Sequence, residues 1–265
     1  MVVRYPAPEA ERDHRGDYFV DVLQLALANT QTSHGPFIVR SSPTKMFQER
    51  SIQQLKANKT VDVIWTMSSR EREAELLPIR IPLLKGLLGQ RLLMIRREDL
   101  ARFEKIDNLS QLASLLAGQG HGWPDSQILA YNKLPVVEGA TYQGLFGMLA
   151  RRRFDYFPRG VSEIDSELQT YSEFNFVVEP RLLLSYRAPI YFFVNSGNRQ
   201  LAERIEQGLL LAIDNGDFER LFTSYGYDKF AERLNERRVL KLDNPFLHPK
   251  TLAEDSPLWL HFSLN

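Results

Sequence analysis

Val61 to Ile95, VDVIWTMSSREREAELLPIRIPLLKGLLGQRLLMI, sets a strand, a polar turn, a charged helix start and a second strand in one run. Val61 to Trp65 is short, β-branched and largely apolar, the composition of a strand buried on both faces of a parallel sheet. Thr66-Met67-Ser68-Ser69 ends it, and the Ser69 hydroxyl can cap a helix whose first turn holds Arg70, Glu71 and Arg72. A helix start at a strand's carboxyl end offers unpaired N–H groups and the positive end of the helix dipole, which suits an anion. Arginine in that first turn opposes the dipole and is better explained if it reaches a carboxylate or phosphate. The plainer alternative pairs Arg70 and Arg72 with Glu71, Glu73 or Glu75 on a solvated face.

Toward the N-terminus, Val2 to Tyr5 reads as a first strand closed by Pro6 and Pro8. A polar loop at 9–15 then leads into an amphipathic helix from Asp17, DYFVDVLQLALANT. Phe37 to Arg40 is a second strand, and Gln48 to Ala57 a second helix. The β-α-β-α-β order predicts an α/β unit with a parallel sheet and a ligand beyond the strands' carboxyl ends. Tyr5, Trp65, Met67, Ser68 and Ser69 would then share one rim.

A second unit follows the strand Leu92 to Ile95. Leu109 to Leu116 reads as a helix running into a short strand, Leu115 to Ala117, and then comes the loop GQGHGWPD, Gly118 to Asp125. Its glycines let the backbone approach a neighbour closely, and Pro124 and Asp125 prepare a helix start. Leu134 to Glu138 is a strand, Thr141 caps the next helix, and Phe154 to Gly160 is a strand ending in a turn. The loops at Gly118 to Asp125 and Phe157 to Gly160 share a second rim. The chain returns to an apolar strand at Tyr186 to Val194. A long helix follows from Asn198 to Asp214, interrupted by Gly208, and a short one from Phe218 to Ser224. The tail from Lys229, with Phe246, Leu247, Leu258, Trp259 and Phe262, is expected to wrap on the first lobe.

Length and composition bound the function. The chain has 265 residues, 43% of them hydrophobic, enough for two compact domains. Lys and Arg total 33 and Asp and Glu total 33, so no broad pull toward nucleic acid is expected. No cysteine is present, which excludes disulfides, thiolate metal sites and a cysteine nucleophile. No cofactor or metal is expected, since no His/Asp/Glu cluster has ligand spacing and no Ser-His-Asp constellation is legible. The N-terminus lacks a signal peptide's basic start and apolar core, so the chain is either cytosolic or has lost an export signal.

The segment FFVNSGNRQLAERIEQGLLLAIDNGDFERLFTSYG resembles the end of the family 3 extracellular solute-binding proteins, with a strand, a GN-x-x-L helix start, a long helix and a D/N-G break in order. VDVIWTMSSREREAELLPIRIPL is similar to that family's Thr-x-x-Arg step, with Ser69 on the threonine and Arg72 on the arginine that holds a ligand carboxylate. The resemblance implies an α/β, two-lobe type II periplasmic binding fold with two hinge crossings. Lobe one would be residues 1–95 plus 186–265, and lobe two the inserted 96–185. It further implies a monomeric periplasmic protein, its signal peptide removed, that captures a small solute for an ABC importer and meets a membrane permease or a sensor partner. Two departures bear on the ligand. The family's amino-acid binders carry an acidic residue after the last lobe-two strand, where this chain has Arg159-Gly160, and the lobe-two turn is replaced by GQGHGWPD.

The ligand set expected is therefore Tyr5, Trp65, Met67, Ser68, Ser69 and Arg72 from lobe one, and Gly120, Trp123, Phe157 and Arg159 from lobe two. Arg72 and Arg159 would clamp an anionic or amino-acid-like solute from both lobes; the plainer reading pairs Arg159 with Glu163. The aromatic residues Tyr5, Tyr18, Trp65 and Trp123 can stack on a ligand or fill the core, and Trp65 suits the core by propensity. The chain is read as a binding protein and not an enzyme. A sensing module of the same fold is one alternative. The other is a lyase or dehydratase using His121 or Asp125 as acid or base.

Overall fold

A computed structural model describes residues 1–8, 14–253 and 256–260. The polar loop expected at 9–15 falls mostly outside these residues, as does Phe262. Within them the chain forms two compact units, Met1–Lys85 with Pro189–Asp228 and Leu247–Trp259, and Gly86–Ala188 with Lys229–Phe246.

The first unit opens with β1 (Val2–Ala7), α1 (Asp17–Asn29), α2 (Gln31–His34), β2 (Ile38–Lys45) and α3 (Gln48–Lys56). It continues with β3 (Val63–Met67), α4 (Arg70–Glu75) and β4 (Leu76–Ile79). The second unit holds β5 (Gln90–Arg96), α5 (Leu100–Phe103), α6 (Leu109–Leu112), β6 (Ala117–Gly120), α7 (Pro124–Tyr131) and β7 (Val136–Gly139). There follow α8 (Tyr142–Ala150), β8 (Tyr156–Gly160), α9 (Ile164–Thr170), β9 (Phe176–Val178) and β10 (Leu182–Ser185). The chain then returns to the first unit as β11 (Ile190–Asn195), α10 (Arg199–Asp214) and α11 (Asp217–Ser224), and ends in the second with α12 (Phe230–Asn235) and β12 (Arg238–Lys241).

The sheets are mixed rather than parallel. In the first unit β1 and β2 are parallel, but β11 lies antiparallel between β3 and β4. The reason is connectivity: β11 arrives after the excursion through the second unit and enters against the direction of β3. Two bonds of 2.8 Å join β1 to the approach to β3: the Asp62 amide donates to the Arg4 carbonyl, and the Arg4 amide donates to the Asp62 side chain at Oδ2. One face of this sheet packs Ile64 and Phe193 on Ile52 and Leu55 of α3. Trp65 meets Phe19 of α1 in a stacked pair 5.4 Å apart.

The second unit is built on a seven-stranded sheet ordered β12-β10-β5-β8-β6-β7, with β9 also on β5. This moves the boundaries expected at 95 and 186. Strand β5 pairs with β8, β9 and β10 and is buried along its length, so residues from Gly86 belong with the second unit. The tail divides as well. Its first part pairs β12 with β10, and only the part from Leu247 joins the first unit. The chain thus passes between the units at Lys85/Gly86, Ala188/Pro189, Asp228/Lys229 and Phe246/Leu247.

Two glycine readings change. Gly118 and Gly120 lie in β6 and not in a loop, since a Cβ at Gly118 would sit 2.2 Å from the Phe154 ring and one at Gly120 2.4 Å from Trp123. Helix α10 runs unbroken through Gly208, where a Cβ would lie 1.9 Å from the Ala26 carbonyl oxygen. Close backbone approach, rather than a turn, requires glycine at these positions.

Candidate functional site

At the carboxyl end of β3 the chain forms the turn that the sequence marks out. Ser69 takes extended backbone and its Oγ accepts the Arg72 amide at 3.2 Å, so it is the N-cap of α4. Arg72 is 9% exposed, and its Nη1 donates to the Met67 carbonyl at 2.9 Å. This brings the guanidinium back to the strand end beside the cap. Met67 and Ser68 are buried beneath it. They shape the turn rather than its surface, which corrects their expected place in the ligand-contacting set. Ser68 Oγ instead donates to Glu73 Oε1 at 2.5 Å.

Tyr5 and Trp65 do come together, with ring centroids 5.9 Å apart, and Trp65 is half-buried. Burial first, then the charge of Asp17, raises the Tyr5 hydroxyl above its usual range, so it stays protonated near neutrality. Tyr18 is core: it is 1% exposed and donates its hydroxyl to the Leu83 carbonyl at 2.8 Å. Two glutamates of α4 have basic partners outside the helix. Glu73 pairs with Arg80, and Glu75 accepts from Lys56 Nζ at 2.6 Å.

The second unit's rim differs more from expectation. Arg159 is 2% exposed and donates Nε to Glu167 Oε2 at 2.8 Å and Nη2 to Oε1 at 2.6 Å. Glu163 Oε2 lies 3.1 Å from the same Nη2. Arg159 is therefore an internal ion-pair partner and not a cation presented to a ligand. The pairing expected with Glu163 is present, but the main partner is Glu167 in α9. Burial alone would push the Arg159 guanidinium down, and Glu163 and Glu167 more than offset it, so it remains charged.

Arg91 holds a matching position on β5. Its Nη2 is 2.6 Å from Asp125 Oδ1, its Nε donates to Tyr186 Oη at 3.0 Å, and its Nη1 is 3.5 Å from Glu163 Oε2. Tyr186 donates its hydroxyl to Asp125. Asp125 is thus not the N-cap of α7, a place taken by Trp123 without a side-chain bond. Glu163 also accepts the Gly160 amide at 3.1 Å, so one carboxylate at the end of β8 links both arginines. Sequence reading missed Arg91, Glu167 and Tyr186 because their partners lie on different elements. A pair of buried-strand arginines in a sheet that must neutralise them was the available signal.

Trp123 stacks on Phe157 at 6.4 Å and lies 5.2 Å from the Arg159 guanidinium. Phe157 is fully buried, between Phe146, Phe154 and Trp123, so it is a floor under Trp123 and not a surface contact. Gly120 leaves the space that Trp123 fills. His121 faces solvent and pairs with Glu138 at 2.8 Å. Among the described residues, no group of three or more His, Asp or Glu is placed to hold a metal ion, and no helix is long and apolar enough to cross a membrane.

Comparison with known proteins places the fold. No protein-family model and no curated protein sequence matches the chain. Solved structures do. An ancestral arginine-binding protein bound to arginine is similar at a TM-score of 0.64 and 15% identity, covering 84% of this chain and 97% of that one. A Salmonella typhimurium periplasmic binding protein with high arginine specificity gives 0.62 at 14% identity, with 84% and 98% covered. A histidine kinase sensor domain with similarity to periplasmic binding proteins gives 0.61 at 19% identity, with 85% and 95% covered. The chain has the mixed α/β, two-lobe fold of type II periplasmic binding proteins.

Proposed function

We propose that this chain binds a small polar solute through an acidic group of that solute, held at the Ser69–Arg72 turn. The observation that carries the reading is the capped start of α4 with the Arg72 guanidinium at the end of β3. A helix start and a guanidinium at one strand end form a matched set of donors for a carboxylate. The Tyr5–Trp65 pair, one of them on the same strand, supplies an aromatic surface for the rest of the solute. With Arg159 neutralised by Glu167, the need for a second acidic group on the ligand falls away, and a single carboxylate suffices.

On this reading the protein is a periplasmic solute-binding component of an importer, monomeric, and works by capture rather than catalysis. A sensing role is the second reading. It draws support from the histidine kinase sensor domain among the structural neighbours. Titration with amino acids, dicarboxylates and small peptides, followed by tryptophan fluorescence, tests the binding. A carboxylate-bearing solute is expected to give a saturable change that Trp65→Phe reduces. A flat response to every carboxylate, or saturation by neutral solutes alone, contradicts it.

A further inference from the structure

Helix α4 is only six residues long, too short to stand on its own propensity. What holds it is therefore a question the residues around it must answer. Glu73, its side chain fully buried, accepts from Ser68 Oγ at 2.5 Å and from Arg80 Nε at 2.9 Å, and the His248 ring nitrogen Nδ1 lies 3.5 Å from its Oε2. One carboxylate thus gathers the end of β3 and the residue after β4, with His248 of the C-terminal tail beside it. Arg70 ties α4 to that tail, donating Nε to the Leu247 carbonyl at 2.8 Å. That contact also accounts for an arginine in the first turn of a helix, since it reaches an acceptor outside the helix. Leu247 and His248 begin the part of the tail that belongs to the first unit, and His248 closes its own turn by accepting the Lys250 and Thr251 amides at 3.1 and 2.9 Å.

We infer that the tail segment from Leu247 is a strap that fixes α4, with Glu73 and Arg70 as positioning residues, so that the Ser69–Arg72 turn is set before any solute arrives. Its purpose rests on the proposed anion-binding role of that turn, but its test uses no solute. Exposed Arg70 is the contact most easily removed without touching the core.

Amide hydrogen exchange on the full-length chain, free of added ligand, reads the effect. The Arg72 amide bonds Ser69 Oγ and the Glu73 amide bonds the Ser69 carbonyl, so both report whether α4 is formed. Arg70→Ala and His248→Ala are each expected to speed exchange at these two amides about tenfold through local opening, with β11 amides unchanged. Arg70→Lys, which keeps a donor, is expected to recover most of the protection. Unchanged exchange at Arg72 and Glu73 overturns the strap, and so does equal acceleration in β11. If the strap holds while no carboxylate binds, the fault lies with the proposed function alone.

Discussion

Ser69 and Arg159 carry opposite lessons at the residue scale. Ser69 caps α4 by a bond three residues along the chain, and its replacement by alanine is expected to cost about 1 kcal/mol, measured by denaturant unfolding. Arg159 depends on Glu167, eight residues away and on another element. Glu167→Ala leaves a buried guanidinium short of a partner and is expected to cost roughly 3–5 kcal/mol in the same measurement. The cap was legible in sequence because its geometry is local. The arginine's role was not, because helix α9 must fold onto β8 before Glu167 reaches it. The same holds for Asp125, which composition casts as a cap and the fold turns toward Arg91 and Tyr186.

Helix packing decides the sign of the next test, at the scale of elements. Helix propensity alone makes alanine better than glycine in a helix by about 1 kcal/mol. At Gly208 of α10 a Cβ would lie 1.9 Å from the Ala26 carbonyl oxygen of α1, so Gly208→Ala must push the two helices apart. We expect it to destabilise by about 1–3 kcal/mol, the range for overpacking, and a gain in stability would show that the helices yield freely. Most elements were legible from periodicity, including α1, α3 and α10. Strands β4, β10 and β12 were not, because they are four residues each and gain their place only by pairing with β11, β5 and each other. The antiparallel insertion of β11 was hidden for the same reason.

At the scale of the whole molecule, the repeated passage of the chain between units is what the sequence concealed most fully, since nothing in the composition of tail residues 229–246 and 247–259 marks which unit each joins. Glu179 helps hold the approach to β10. It is buried and accepts the Arg181 and Leu182 amides at 2.9 and 2.5 Å, while Arg237 donates to its main-chain carbonyl at 2.6 Å. Burial raises its carboxyl above the ordinary range, against the lowering effect of those amides and arginines. The folded chain then binds this proton more tightly than the unfolded chain, so its contribution to stability falls as pH rises from the ordinary carboxylate range through the raised value. The difference in unfolding free energy between wild type and Glu179→Gln is expected to show that downward slope, and a flat or rising difference would contradict it.

The claim on which the functional account stands is that Arg72 holds an acidic group of the solute. Thermal unfolding of wild type and Arg72→Ala, each with and without a carboxylate solute found by the fluorescence titration, tests it most directly. A solute at about a hundred times its dissociation constant adds about 2.7 kcal/mol, which raises the wild-type midpoint by several degrees. The account predicts that this rise disappears in Arg72→Ala at the same concentration. An equal rise in both proteins at that concentration would contradict it.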